Sequence, residues 1–127
     1  MSFFEHQVAG HKDQLRSHPQ HPSRLIKQSS KPEIEFYKSL QEPIAWKEAL
    51  REHMPIFYGA KEDSIEIQNL IYDYNNPSII DVKLGTILYD SHASADKRAR
   101  MEQVAKDTTS GSMGIRICGM KVIFYEI

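Results

Sequence analysis

The chain lacks what a membrane protein, a nucleic-acid binder or a secreted disulfide-rich domain would need. It has a single cysteine, Cys118. One thiol excludes an internal disulfide and fits a reducing, intracellular setting. Between Ile117 and Gly119 it reads as a small buried hydrophobe. No apolar run approaches the ~18 residues needed to cross a bilayer. The first ten positions include Glu5 and His6 and hold no apolar stretch of signal-peptide length. An excess of one charge is also missing: 16 Lys and Arg face 17 Asp and Glu, a formal net charge of −1. No global field draws the chain to DNA, RNA or an anionic surface, so any recognition of phosphate must be local. Internal repeats and low-complexity tracts are absent. At 127 residues the chain is one domain or less, able to bury roughly two-thirds of its unfolded surface.

What is present alternates short strands with helices. Residues 5–22 are rich in His, Gln, Gly and Pro and predict a loop with one short strand at Gln7–Ala9. His11, His18 and His21 fit no tight metal-ligand spacing and no cysteine joins them, which predicts a solvated loop. Ser23–Gln28 predicts a strand. Ser30 stands three residues before Glu33, the spacing of a capping box, and Pro32 suits a first helical turn. The helix beyond it carries Ile34, Phe36, Tyr37 and Leu40 and stops before Pro43. A second helix, Ala45–Glu52, puts Trp46, Ala49 and Leu50 on one face. Pro55 opens a turn into Ile56-Phe57-Tyr58, ended by Gly59. Ser64–Leu70 alternates as a strand, and Asn75-Asn76-Pro77 is a loop. Strands are predicted at Ile79–Leu84 and Thr86–Tyr89, a helix capped by Ser94 runs to Lys106, Thr108–Gly114 is a flexible connector, and Ile115–Ile127 is β-rich. This mixture fits α+β better than βαβ winding.

The most informative stretch is Pro77-Ser78-Ile79-Ile80-Asp81-Val82-Lys83-Leu84-Gly85. Strand alternation places Asp81 and Lys83 on one face and Ile80, Val82 and Leu84 on the other. An acid and a base side by side suit either a surface ion pair or an open cleft. Gly85 lets the chain turn or lets a ligand approach the backbone.

These residues resemble the P-x-x-x-D-x-K-x-G signature of the inositol polyphosphate kinase family. Leu88-Tyr89-Asp90-Ser91, Asp96-Lys97-Arg98, Thr108-Thr109-Ser110-Gly111-Ser112 and Arg116-Ile117-Cys118-Gly119-Met120 are similar to its fungal multikinase members. So are Gln7-Val8-Ala9-Gly10-His11 and Glu33-Ile34-Glu35-Phe36-Tyr37. The resemblance implies a kinase-like N-terminal lobe: an antiparallel sheet, a packing helix pair and an inositol-binding helical insert, with an incomplete second lobe. It implies one partial domain over 1–127, divided into a lobe at 1–76, with a hinge strand near 64–70, and a segment at 77–127. It further implies ATP with Mg2+ as cofactors, an inositol polyphosphate substrate and a place in the nucleus or cytoplasm. The family's serine-rich segment that holds the metal is absent, so no metal ligand is expected within these residues. The strand-like ending Val122–Ile127 fits a fragment or truncated product, inactive alone.

The resemblance also assigns residues. Lys27 matches the family's ATP-binding lysine, with Glu33 as the ion-pair partner that orients it. Gln68 and Asn69 match the hinge that meets adenine and ribose, although fungal members carry Glu at the first of these positions. Asp81 and Lys83 are the expected catalytic pair: Lys83 bridges the transferring phosphate and Asp81 orients the acceptor hydroxyl. Lys97 and Arg100 share a helix face for the inositol phosphate, with Arg98 beside them. Without the resemblance, the same helix is a solvated charged one with i, i+4 pairs such as Arg98–Glu102. The alternative function is a non-catalytic interaction module that takes a partner strand along Val122–Ile127. A nucleic-acid binder is disfavoured by the neutral charge.

Overall fold

The computed structural model describes residues 4–10 and 13–124. His11 and residues 125–127 lie outside the described residues. The architecture is α+β, in two compact units that meet in sequence at Pro77 and Ser78.

The first unit is a four-stranded antiparallel sheet. Its strands are β1 (Leu15–Ser17), β2 (Arg24–Gln28), β3 (Phe57–Ala60) and β4 (Ser64–Gln68), in the order β1-β2-β4-β3. Alternation in β2 and β4 decides the faces. Leu25 pairs with Ile67 and Lys27 with Ile65, so these four share one face, while Ile26 and Glu66 share the other. Helix α1 (Lys31–Ser39) supplies Ile34 to the first face. Leu25, Ile34, Ile65 and Ile67 form the core, with Phe4, Leu15, Tyr37, Phe57 and Ala60 packed around them. Removing each large aliphatic from water is worth about 1.5–3 kcal/mol.

Four expectations in this unit need correction. No strand forms at Gln7–Ala9. Strand β1 was hidden in the polar stretch instead, because three residues are too few to show a period. Strand β3 runs through Gly59 to Ala60, with a register shift between Phe57 and Gly59. The capping box does not form: Ser30 is the N-cap but makes no side-chain capping bond, and the Glu33 carboxylate pairs with Lys27 instead of reaching back to the Ser30 N–H. Helix α2 (Ala45–Arg51) turns its apolar face outward, with Trp46 59 % exposed, and buries Lys47. The reason is the end of α1. Lys47 Nζ donates to Ser39 O (2.9 Å) and Glu42 Oε2 (2.9 Å), and Arg51 donates to the carbonyl of Leu40. Cations one turn apart on α2 thus satisfy carbonyls at the C-terminus of α1, where the helix dipole favours positive charge.

The second unit pairs β5 (Ile79–Leu84) with β6 (Ile115–Lys121), antiparallel, and connects them through α3 (Ala95–Asp107) and α4 (Thr109–Met113). Ser94 caps α3 as expected, accepting from Lys97 N at 3.3 Å. Thr108 joins the two helices: its hydroxyl donates to Val104 O (2.7 Å) and accepts from Ser110 N (3.4 Å). The expected flexible connector is therefore largely a one-turn helix. It packs against the end of α3 so closely that a Cβ on Gly111 would stand 2.4 Å from Ala105 O. Thr86–Tyr89 is not a strand. Gly85 adopts φ +104°, and its N–H donates to Gly114 O at 2.7 Å, which closes the ladder there. Cys118 is exposed rather than buried. Asp81 pairs with Gly119 and Val82 with Ile117, so Cys118 is the extra residue of a bulge. Strand β6 ends at Lys121, and Val122–Phe124 add no strand to it.

Candidate functional site

Lys27 and Glu33 meet in the first unit. Strand parity sends Lys27 to the same face as Leu25, toward α1, whose first turn carries Glu33. Lys27 Nζ lies 2.5 Å from Glu33 Oε1, with the two side chains 35 % and 30 % exposed. A lysine has three donors, so two remain for another acceptor. Tyr37 stands one turn beyond Glu33. Burial first, and then the charge of Glu33, raise its hydroxyl pKa above the usual tyrosine value and keep it neutral.

Gln68 ends β4 and Asn69 follows it. Gln68 exchanges bonds with Ile56: its N–H donates to Ile56 O (2.9 Å), and its Oε1 accepts from Ile56 N (3.3 Å). Asn69 is held from both sides. Its N–H donates to Ser23 O (2.8 Å), its Nδ2 to Pro22 O (3.3 Å), and its Oδ1 accepts from Ile71 N (3.3 Å). Both carboxamides fix the chain where it leaves the sheet.

In the second unit, β5 brings Asp81 and Lys83 together. Lys83 Nζ is 3.0 Å from Asp81 Oδ1 and 3.3 Å from Oδ2. The alternation survives because the bulge is on β6, leaving β5 regular. Lys83 is about half exposed, which leaves its third donor open to another acceptor.

The α3 cations divide by role. Lys97 Nζ lies 3.7 Å from Asp90 Oδ2, and Arg100 is exposed one turn further on. Arg98 is engaged elsewhere, donating to Ser91 O (2.7 Å) and Ala93 O (3.0 Å) with its guanidinium over the Tyr89 ring. The Arg98–Glu102 pair of the alternative, solvated-helix reading gives way to a bond from the Tyr89 hydroxyl to Glu102 Oε1 at 2.9 Å. That bond, foremost, raises the Tyr89 pKa. The sequence names Tyr89 and Asp90 only inside a family-like stretch and Glu102 only as a partner for Arg98, and gives none of the three a role in the site. Tyr89 and Asp90 lie in a loop without periodicity and Glu102 on α3, and only Asp90, an acid four residues before the Ser94 cap, offered a signal. Among the described residues, no group of three or more His, Cys, Asp or Glu side chains could hold a metal ion.

Comparison with known proteins defines the class. A family profile described as inositol polyphosphate kinase matches residues 64–125, which contain β4, the Asp81–Lys83 pair and α3. The inositol polyphosphate multikinase of Saccharomyces cerevisiae is 48 % identical over 69 residues, 54 % of this chain and 19 % of that protein. The Schizosaccharomyces pombe multikinase is 31 % identical over 138 aligned positions, 94 % of this chain and 51 % of that protein. A crystal structure of the S. cerevisiae inositol phosphate multikinase in complex with ADP and Mn2+ matches with a TM-score of 0.70 and 41 % identity, covering 80 % of this chain and 40 % of that one. The chain belongs to the inositol polyphosphate kinase family. That is a family of inositol phosphate kinases, which are transferases, and the chain shares the α+β fold of its multikinase structures. It spans about half the length of the S. pombe relative and a smaller share of the S. cerevisiae one.

Proposed function

We propose that this chain carries the nucleotide-binding and acceptor-binding elements of an ATP-dependent kinase that phosphorylates inositol trisphosphate and tetrakisphosphate. The observation that carries most weight is the Asp81–Lys83 pair, held on both carboxylate oxygens with the φ-positive Gly85 two residues beyond it, inside the segment that matches the family. Phosphoryl transfer needs positioning and charge neutralisation more than covalent chemistry. Lys83 has a donor left to follow the transferring phosphate. Asp81, kept in place by Lys83, accepts the hydrogen bond of the attacking hydroxyl. Lys27, oriented by Glu33, offers two donors to the donor phosphates. Lys97 and Arg100 present charge to the anionic substrate, while Arg98 holds the loop below them. The relative crystallised with ADP and Mn2+ supports nucleotide and divalent-metal use, with Mg2+ the proposed ion. The described residues supply no ligand set for that metal, so the chemistry assigned to them is that of Lys27, Asp81 and Lys83.

The test has two arms. The 127-residue chain should bind ADP in calorimetry, and Lys27→Ala should weaken binding about tenfold or more, the scale of a lost charge-assisted contact. Alone it should transfer little or no phosphate. Joined to the remaining sequence of a matched multikinase, it should transfer phosphate from ATP to inositol trisphosphate. Asp81→Asn should then cut turnover by about 10²–10⁴ with ATP affinity nearly unchanged. Absent ADP binding overturns the nucleotide assignment, and unchanged turnover in Asp81→Asn removes that residue from the chemistry.

A further inference from the structure

Residues 18–23, between β1 and β2, form a turn built around one imidazole. His18 Nδ1 accepts from the backbone N–H groups of Gln20 (3.1 Å) and His21 (3.0 Å). The turn is closed by His18 N to Arg24 O (3.2 Å) and Arg24 N to His21 O (2.9 Å). A nitrogen that accepts twice carries no proton, so the neutral ring bears its hydrogen on Nε2, 3.7 Å from Glu66 Oε1. The side chain is only 15 % exposed. The far end of the same turn supplies the two carbonyls, of Pro22 and Ser23, that hold Asn69. Pro19 and Pro22 restrict the conformations that the turn could otherwise adopt.

We propose that His18 is a positioning residue of the nucleotide site: its neutral imidazole holds the turn in the form that anchors Asn69, and its protonation loosens that anchor. The role at the nucleotide site rests on Asn69 belonging to the adenine-facing hinge. A proton on Nδ1 would confront two N–H donors and end both bonds. The groups facing the ring act in opposite directions. Glu66 on β4 favours the charged ring, whereas Arg24 on β2 and His21, whose ring centroid lies 4.8 Å from that of His18, oppose it. Glu66 Oε1 already accepts from Arg24 at 2.8 Å. Protonation at Nδ1 costs the turn both of its imidazole bonds, and the clamp opens.

Amide exchange at Asn69, corrected for intrinsic rate and followed between about pH 5 and 8, reads this directly, because histidine charges in that window. In the wild-type chain, protection at Asn69 should fall about tenfold toward the acid end, the worth of two such bonds. Ring nitrogen-15 shifts should show His18 Nδ1 unprotonated at the alkaline end. His18→Asn places a non-titrating carbonyl near Nδ1; it should keep the protection and remove the pH dependence. His18→Ala should lose the protection throughout. Protection that ignores pH in the wild type, or that follows the same pH profile in His18→Asn, overturns the proposal. ADP titrations of the same proteins separate the two parts. Affinity that stays constant while Asn69 protection changes refutes the hinge assignment and the nucleotide-site role together, leaving only a structural clamp.

Discussion

The two units solve the problem of holding charged side chains in place by different means. In the first, Lys27 sits at the margin of a core of Leu25, Ile34, Ile65 and Ile67, and its partner Glu33 is fixed because α1 is packed on that core. In the second, the buried groups are small, Ala105 and Ser110, while Ile80, Leu84, Ile117 and Met120 are all more than half exposed. Order there comes from hydrogen bonds and close approach: the Thr108 junction, the Gly111 contact, Gly85 to Gly114, and Arg98 on two loop carbonyls. A strand can thus present an acid and a base at a fixed spacing without an apolar core beneath it, provided the backbone at both ends is tied. The units should therefore fail under different substitutions.

The largest effect is expected at Ile65, which is 1 % exposed on the central strand β4. Ile65→Ala should cost about 2–5 kcal/mol, seen as a lower midpoint in urea and lost amide protection in β2 and β4. If β5 and β6 lose protection to the same degree, the two units unfold as one and the contrast fails. Gly111→Ala is next. In an ordinary helix the change stabilises by up to about 1 kcal/mol. Here the added Cβ meets Ala105 O at 2.4 Å, so a loss of about 1–3 kcal/mol is expected, confined to α3, α4 and β6. A gain in thermal midpoint would show that the α3–α4 approach is soft.

How far the sequence discloses this arrangement depends on what fixed each part. Elements with a period were legible: β2, β4, β5, α1 and α3 lie within one or two residues of expectation, because alternation and helical spacing are set by burial along one face. The shared face of Asp81 and Lys83 was legible for the same reason. The burial of Lys47 was not. The apolar spacing of Trp46, Ala49 and Leu50 is genuine, but the end of α1 needed cations for its carbonyls, and that need is tertiary. Helix α4 was missed because Thr109-Ser110-Gly111-Ser112-Met113 is short and small, with its stability in the Thr108 cap. Cys118 misled because residue type favours burial, while a one-residue bulge decided otherwise. The His18 clamp depends on which imidazole nitrogen meets which N–H, and a sequence does not show that.

The arginine at position 98 gives a smaller test within the second unit. Arg98→Ala removes donors from Ser91 O and Ala93 O and the stacking on Tyr89. A loss of about 1 kcal/mol is expected, with faster exchange in residues 90–94. Arg100→Ala, on an exposed position, should leave stability within about 0.5 kcal/mol. Equal losses in the two variants would mean that α3 is held by its charge as a whole rather than by the one arginine.

The smallest effect, and the one with a sign to check, is the acid limb of the first unit. Glu66 has its pKa lowered from 4.5, first by the hydrogen bond from Arg24 and further by the charges of His18, Arg24 and His21, against an opposing desolvation. A carboxyl whose folded pKa lies below its unfolded value stabilises the fold above the unfolded value. That contribution declines as the pH falls past about 4.5 and is gone below the depressed folded value. Glu66→Gln should therefore flatten the acid limb of first-unit stability, measured by urea unfolding at a series of pH values, and leave protection in β5 and β6 on its wild-type profile. A variant whose acid limb keeps the wild-type slope would show that Arg24 finds its compensation elsewhere, in the Tyr58 ring it already stacks on at 4.0 Å.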